Sequence, residues 1–238
     1  MDVPPNLATM PMHAITEIHG EPGLLARFRL EAAAFDPTDR ERLTEALDLA
    51  ARLHRDDRRT REPYLNHLLR VAIRLVHHYQ VRDVDVIVAG LLHDAVEDHP
   101  DALAGPGAAD PTAAALATLA ARFGPRVARL VAAVTNPAYD PERDRNAQYR
   151  EHLAVSLARE PWARVIKVSD FTDNGVGVVY SVGAKVARSA AKYRPLVPMF
   201  RDLIARPDTP LSAPVKRHIF AQLDLAERRF AAILDRPA

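Results

Sequence analysis

The sequence predicts an all-α protein, a helical bundle of roughly 8–11 helices, and three observations carry that prediction. Apolar residues recur three and four positions apart through most of the chain, and strand-like alternation is nearly absent. Glycine is scarce (9 residues) while alanine is abundant, a balance that favours helix over sheet. No internal repeat marks a solenoid or propeller.

The elements follow in order. The first stretch, to residue 35, holds Pro4, Pro5, Pro11 and Pro22 and gives a poor periodic signal, with a short helix expected over residues 23–34. Thr38 and Glu41 have capping-box spacing, and Leu43, Ala46, Leu47, Ala50 and Leu53 follow at helical intervals. Pro63 suits the first turn of the next helix, whose buried face is Leu65, Leu68, Ala72, Ile73 and Val76. A third helix starts near Asp83, is apolar on most sides through Leu92, and ends at Glu97-Asp98; it is the expected central helix. After the loose Ala104-Gly105-Pro106-Gly107-Ala108 comes an alanine-rich helix closing at Phe123-Gly124. Helices are expected at 125–135, 142–159 and 162–179, with a proline-containing loop at 136–141. Three more complete the chain, the last over 214–234 with Ile219, Leu223, Ala226, Phe230 and Ile233 at helical spacing. The organisation expected is an N-terminal extension (1–37), one principal domain (38–206) and a C-terminal helix within 207–238 packed on it.

Composition excludes several classes. Lys+Arg (32) nearly balance Asp+Glu (31), so no global field draws the chain to nucleic acid or membrane. There is no cysteine, which rules out disulfides, a thiol nucleophile and thiolate metal ligands. No apolar run is long enough to span a bilayer, and the N-terminus lacks a basic segment followed by an apolar one. A cytoplasmic protein is expected.

The chemistry-bearing residues are defined by their order. A His-Asp pair alone means little, since 10 histidines and 20 aspartates in 238 residues give about one by chance. His93-Asp94, however, lies late in the most apolar helix, where an uncompensated carboxylate is costly and a metal removes the cost. His67 comes from the preceding helix. Asp170 stands in a later apolar helix among Val165, Ile166, Val168 and Phe171, with Asn174 one turn on. Helical neighbours point about 100° apart, so His93 and Asp94 can reach one ion, and Glu97 and Asp98 share their broad face. For Asp94 or Asp170 taken singly, an ion pair with Lys or Arg is the plain alternative. Mixed imidazole and carboxylate ligands suit Mn²⁺, Fe²⁺ or Zn²⁺ rather than Ca²⁺, and Glu97 or Asp98 can accept the proton of an attacking water. Lys167, three residues before Asp170, either binds phosphate or pairs with a carboxylate. Tyr64 reads as pocket wall or core. His77-His78, His99 and His152 have no spacing that suggests ligation.

Four segments resemble the hydrolase domain of the RelA/SpoT alarmone family, an HD-type metal phosphohydrolase, and especially its small stand-alone hydrolases. They are Arg58-Arg59-Thr60-Arg61-Glu62-Pro63-Tyr64-Leu65-Asn66-His67, Ala89-Gly90-Leu91-Leu92-His93-Asp94-Ala95-Val96-Glu97-Asp98, the run from Phe123-Gly124 to Val134-Thr135, and Ile166-Lys167-Val168-Ser169-Asp170 with Asn174. The resemblance implies an HD-domain helical bundle with one Mn²⁺ held by His67, His93, Asp94 and Asp170. It implies that Glu97 and Asp98 activate water against the 3′-diphosphate of ppGpp, releasing pyrophosphate. Arg58 would stack on the purine, Thr60 would lie near the base edge, and Asn174 near the metal and the ribose-phosphate side. The partner implied is a small-molecule nucleotide, with no nucleic acid and no membrane; a homo-oligomer is left open. The family's synthetase half finds no room in these 238 residues, so synthesis of alarmone is not expected.

The departures are specific. The family's Gly-Gln is replaced by Asp56-Asp57 after His54, and Gly175-Val176-Gly177 follows Asn174 where the family has bulky or polar residues. The segment between Asp98 and Phe123 is about ten residues longer than usual and could act as a lid. Residues 188–196 match the family's diphosphate-binding segment only in part. Two other readings stay open: an HD-type hydrolase of another nucleotide or phosphorylated metabolite, and a silent metal-containing binding module.

Overall fold

The computed structural model describes residues 5–235. Among the described residues there are helices and no strand, apart from one isolated antiparallel bridge between Arg58 and Pro63. The all-α expectation holds. No helix among the described residues is long and apolar enough to cross a membrane. The chain divides into two compact units, Met1–Ala132 and Ala133–Ala238.

In the first unit, α1 (Met12–Ala32) starts well before the helix expected at 23–34. Gly20 sits in the left-handed region (φ 61°) and kinks the helix, and Pro22 restarts it where a missing N–H costs nothing. Those prolines mask the first half from a periodicity reading. The capping box at Thr38 is also corrected. The N-cap of α2 (Pro37–Leu53) is Asp36, whose carboxylate accepts from the Asp39 N–H at 2.9 Å, with Pro37 in the first turn.

Pro63 lies before α3 (Leu65–Ile73), which runs on as a π-helical turn, Arg74–His78. Every residue from 65 to 76 is buried, polar ones included, so α3 packs on all sides. Its neighbours are α1 and α4 (Val84–Leu91), and α4 also packs on α2.

The helix expected to end at Glu97-Asp98 is two helices. Leu92 leaves helical geometry (φ −105°, ψ 10°), and α5 (Ala95–Asp98) begins only after Asp94. The apolar pattern runs through this break unmarked, which is why the sequence reads it as continuous. The segment read as a loose lid contains α6 (Pro100–Ala104), packed on α7 (Pro111–Phe123). Then comes α8 (Pro125–Val134).

In the second unit, α9 (Arg145–Arg159) starts later than expected because Asp144 caps it, accepting from the Ala147 N–H at 2.7 Å. The expected helix 162–179 stops early: α10 (Pro161–Asn174) ends at Gly175, and a tighter 3-10 turn, Val176–Tyr180, replaces its tail. A Cβ at Gly175 would lie 3.0 Å from both the Phe171 ring and its carbonyl, so glycine is what lets the chain turn there. α11 (Ala184–Tyr193), α12 (Leu196–Ala205) and α13 (Ala213–Leu234) follow. α13 buries Val215, Ile219, Leu223, Ala226 and Phe230 and packs on α11 and α12; Ile233 is half-buried. Each fully buried aliphatic or aromatic side chain on that stripe contributes about 1.5–3 kcal/mol.

Candidate metal centre

The site begins with the short loop between α2 and α3. Its ends are tied by the Arg59 N–H donating to the Glu62 carbonyl (2.9 Å) and the Tyr64 N–H to the Asp57 carbonyl (3.1 Å). Glu62 is the anchor. Both its oxygens accept from the buried guanidinium of Arg70, at 2.7 and 2.8 Å, and Asn66 donates to it at 3.1 Å. This fork joins the loop to α3 and gives Glu62 a structural role that the motif alone does not reveal. Arg58 and Thr60 are presented to solvent on this loop.

Three of the sequence-predicted residues converge within the first unit. His67 on α3 and His93 in the α4–α5 turn have ring centroids 5.3 Å apart, and both side chains are almost wholly buried. Asp94 Oδ2 lies 3.1 Å from His93 Nε2 and 3.7 Å from His67 Nε2. The Tyr64 hydroxyl donates to that same oxygen at 2.7 Å, so Tyr64 is neither mere wall nor core.

This arrangement fits a divalent metal. The Gly90 carbonyl, near the end of α4, accepts from His93 Nδ1–H at 2.9 Å. That bond fixes the tautomer and leaves the Nε2 lone pair on the side facing Asp94, as a ligating imidazole requires. The helix break therefore has a chemical use: it frees a carbonyl to orient a ligand.

Glu97 and Asp98 lie on α5, both exposed over the side chain as a whole. The Asp98 carboxyl is nonetheless pushed up to about 6, by desolvation first and then by the charges of Asp94 and Glu97. Burial and the neighbouring Asp94 raise the Tyr64 phenol, which stays protonated and able to donate.

One cluster was missed. Asp57, half-buried, accepts from His54 Nδ1 at 2.7 Å and from His99 Nε2 at 2.6 Å through the same oxygen. Burial works to raise the Asp57 carboxyl, but these two bonds outweigh it and hold the group below the usual carboxylate range. Burial lowers the His54 imidazole. His99 is therefore no bystander, but its partner lies 42 residues away and no local spacing signals it.

In the second unit, Asp170 is buried on α10 and held from two sides. Lys167 Nζ lies 2.9 Å from Oδ2, and Asn174 donates to Oδ1 at 2.5 Å. The carboxylate pairing considered for Lys167 is observed. Gly175, one of the departures from the family pattern, is a close-packing residue against Phe171.

An all-helical frame with a His-Asp pair at a helix break defines the HD-domain class, and the HD-domain family model matches residues 46–159. A MESH1 protein of Xenopus tropicalis is 30% identical over 136 residues, 56% of this chain and 67% of that one, and the chain belongs to the MESH1 family of HD-domain proteins. The mouse MESH1 protein (Mus musculus) is 36% identical over 131 residues, covering 54% of this chain and 64% of the relative. Both relatives are named guanosine-3′,5′-bis(diphosphate) 3′-pyrophosphohydrolases. The match thus spans less than two-thirds of the mouse protein. A solved structure of a metazoan orthologue of SpoT shares the fold, with TM-score 0.57 and 24% identity over 79% of this chain and 94% of that one.

Proposed function

We propose that the protein is a metal-dependent hydrolase that removes the 3′-diphosphate from ppGpp-like purine nucleotides and releases pyrophosphate. The observation that carries this is the convergence of His67, His93 and Asp94 with Glu97 and Asp98 one turn beyond. The naming of the relatives supports the same chemistry. The catalytic segment is taken as residues 38–206, acting in the cytoplasm on a small nucleotide and not on nucleic acid.

In this reading His67, His93, Asp94 and Asp170 hold the ion, with Mn²⁺ the first choice. When bound, it supplies Lewis acidity toward a phosphoryl oxygen and toward water. The chain does the rest. His93 keeps its proton on the Gly90 side, and Tyr64 holds Asp94 in place through its hydroxyl. Glu97 takes the proton of the attacking water, and Asp98 orients that water. Arg58 and Thr60, presented by the pinned loop, contact the purine; Lys167 and Asn174 attend the phosphate side.

The test is pyrophosphate release from ppGpp with Mn²⁺ by wild type beside Asp94→Ala. Wild-type release, with loss of about a hundredfold or more in the variant, is expected. Bound Mn²⁺ without release from ppGpp would overturn the substrate, and a panel of adenosine and dinucleotide phosphates would then identify it.

A further inference from the structure

We propose that His54, Asp57 and His99 form a second divalent-cation site, built of two imidazoles and one carboxylate and separate from the centre at His93-Asp94. The three come from different places: the C-terminal end of α2, the loop after it, and the turn between α5 and α6. Their donor atoms all lie within 4.8 Å of one another. A single Asp57 oxygen meets His54 Nδ1 at 2.7 Å and His99 Nε2 at 2.6 Å, and the two rings cross at 79° with centroids 4.7 Å apart. Two nitrogens and a carboxylate oxygen thus point at one small region.

The access suits an ion. The His54 side chain is 1% exposed, which fixes one ligand in the wall, while Asp57 (33%) and His99 (23%) leave a side open for the ion and its water. Two imidazoles and a carboxylate favour borderline ions such as Zn²⁺, Co²⁺ or Mn²⁺ over Ca²⁺ and Mg²⁺. The sequence adds an independent point. Asp57 belongs to one of the departures from the family resemblance, and the carboxylate that replaces an uncharged side chain there is the one that gathers both imidazoles.

The second site touches the first through one residue. The Tyr64 ring stacks on His54 (4.7 Å, interplanar 9°), and its hydroxyl donates to Asp94 (2.7 Å). An ion on His54 therefore stiffens the phenol that steadies Asp94.

The plain alternative is a triad held by hydrogen bonds alone, in which Asp57 accepts from both rings and binds no metal. Co²⁺ titration of the metal-stripped protein separates the two, with visible absorption and bound cobalt per chain measured for wild type, His99→Gln, Asp57→Asn and Asp94→Asn. Circular dichroism establishes that each variant is folded. The proposal expects about two ions per wild-type chain and about one in each variant. One ion that survives Asp94→Asn but not His99→Gln would support this site while sinking the centre of the proposed hydrolase. Stoichiometry and affinity unchanged in both His99→Gln and Asp57→Asn would overturn it.

Discussion

Two buried polar regions of this molecule are built on opposite plans. In the second unit, Arg164 is fully buried and every guanidinium hydrogen has an acceptor. Nε donates to the Leu157 carbonyl, the two terminal nitrogens share Asp208, and Thr209 and the Ala158 carbonyl take the remainder. In the first unit, one oxygen of Asp57 serves two imidazoles, and one oxygen of Asp94 faces two more and a phenol. A charge whose donors are all matched is architecture. Where several side chains crowd one carboxylate oxygen, an ion can take the place of the shared protons, which is the role proposed above for both clusters. Burial alone does not distinguish the two; the count of donors against acceptors does.

Arg164→Met breaks the closed region and carries the largest expected effect. The Leu157 and Ala158 carbonyls lose their donor, costing about 2–4 kcal/mol in denaturant unfolding. Metal bound per folded chain should not change; a loss of metal with intact stability would reverse the roles assigned to the two regions. Tyr64→Phe sharpens the contrast from the other side. Its hydroxyl steadies Asp94, so unfolding should shift by only about 1 kcal/mol while Mn²⁺ affinity falls about tenfold. Calorimetric titration reads the second quantity, and unchanged affinity would remove Tyr64 from the site.

The smallest effect concerns Asp98 in the metal-free protein. Its folded pKa, about 6, lies above the ordinary 3.8, so the folded state binds this proton more tightly than the unfolded state. The burden of its charge is fully present above pH 6 and is relieved as pH falls from 6 toward 3.8. Asp98→Asn should therefore stabilise the metal-free chain slightly above pH 6, with the gain vanishing near pH 4. A gain that persists at pH 4 would assign the effect to packing and not to charge.

Much of this was legible in the sequence. Helix class follows from apolar spacing, and the α13 stripe from Ile219 to Phe230 is buried as read. The pairing of His67 with His93-Asp94 follows from motif order. What the sequence hid was of two kinds. Breaks within apolar runs, at Leu92 and at Gly175, leave no mark in a pattern that counts only hydrophobicity. Contacts across long separations leave none either: His99 with Asp57, and Tyr64 with Asp94 at a separation of 30. Glu62 is intermediate, since it belongs to a recognisable motif, yet its partner Arg70 is found only in the fold.

The loop that carries Arg58 and Thr60 is clamped at its base by Glu62 on Arg70 and closed by the bridge from Arg58 to Pro63. Most of its backbone freedom is surrendered on folding, before any nucleotide arrives. An arginine on such a platform has only its own torsions left to give up, about 0.5–1.5 kcal/mol for a long side chain. A mobile loop would add the ordering of its whole backbone to that sum. If Arg58 takes the purine as proposed, the ion pair behind the loop becomes a determinant of affinity, although neither of its members needs to touch the ligand.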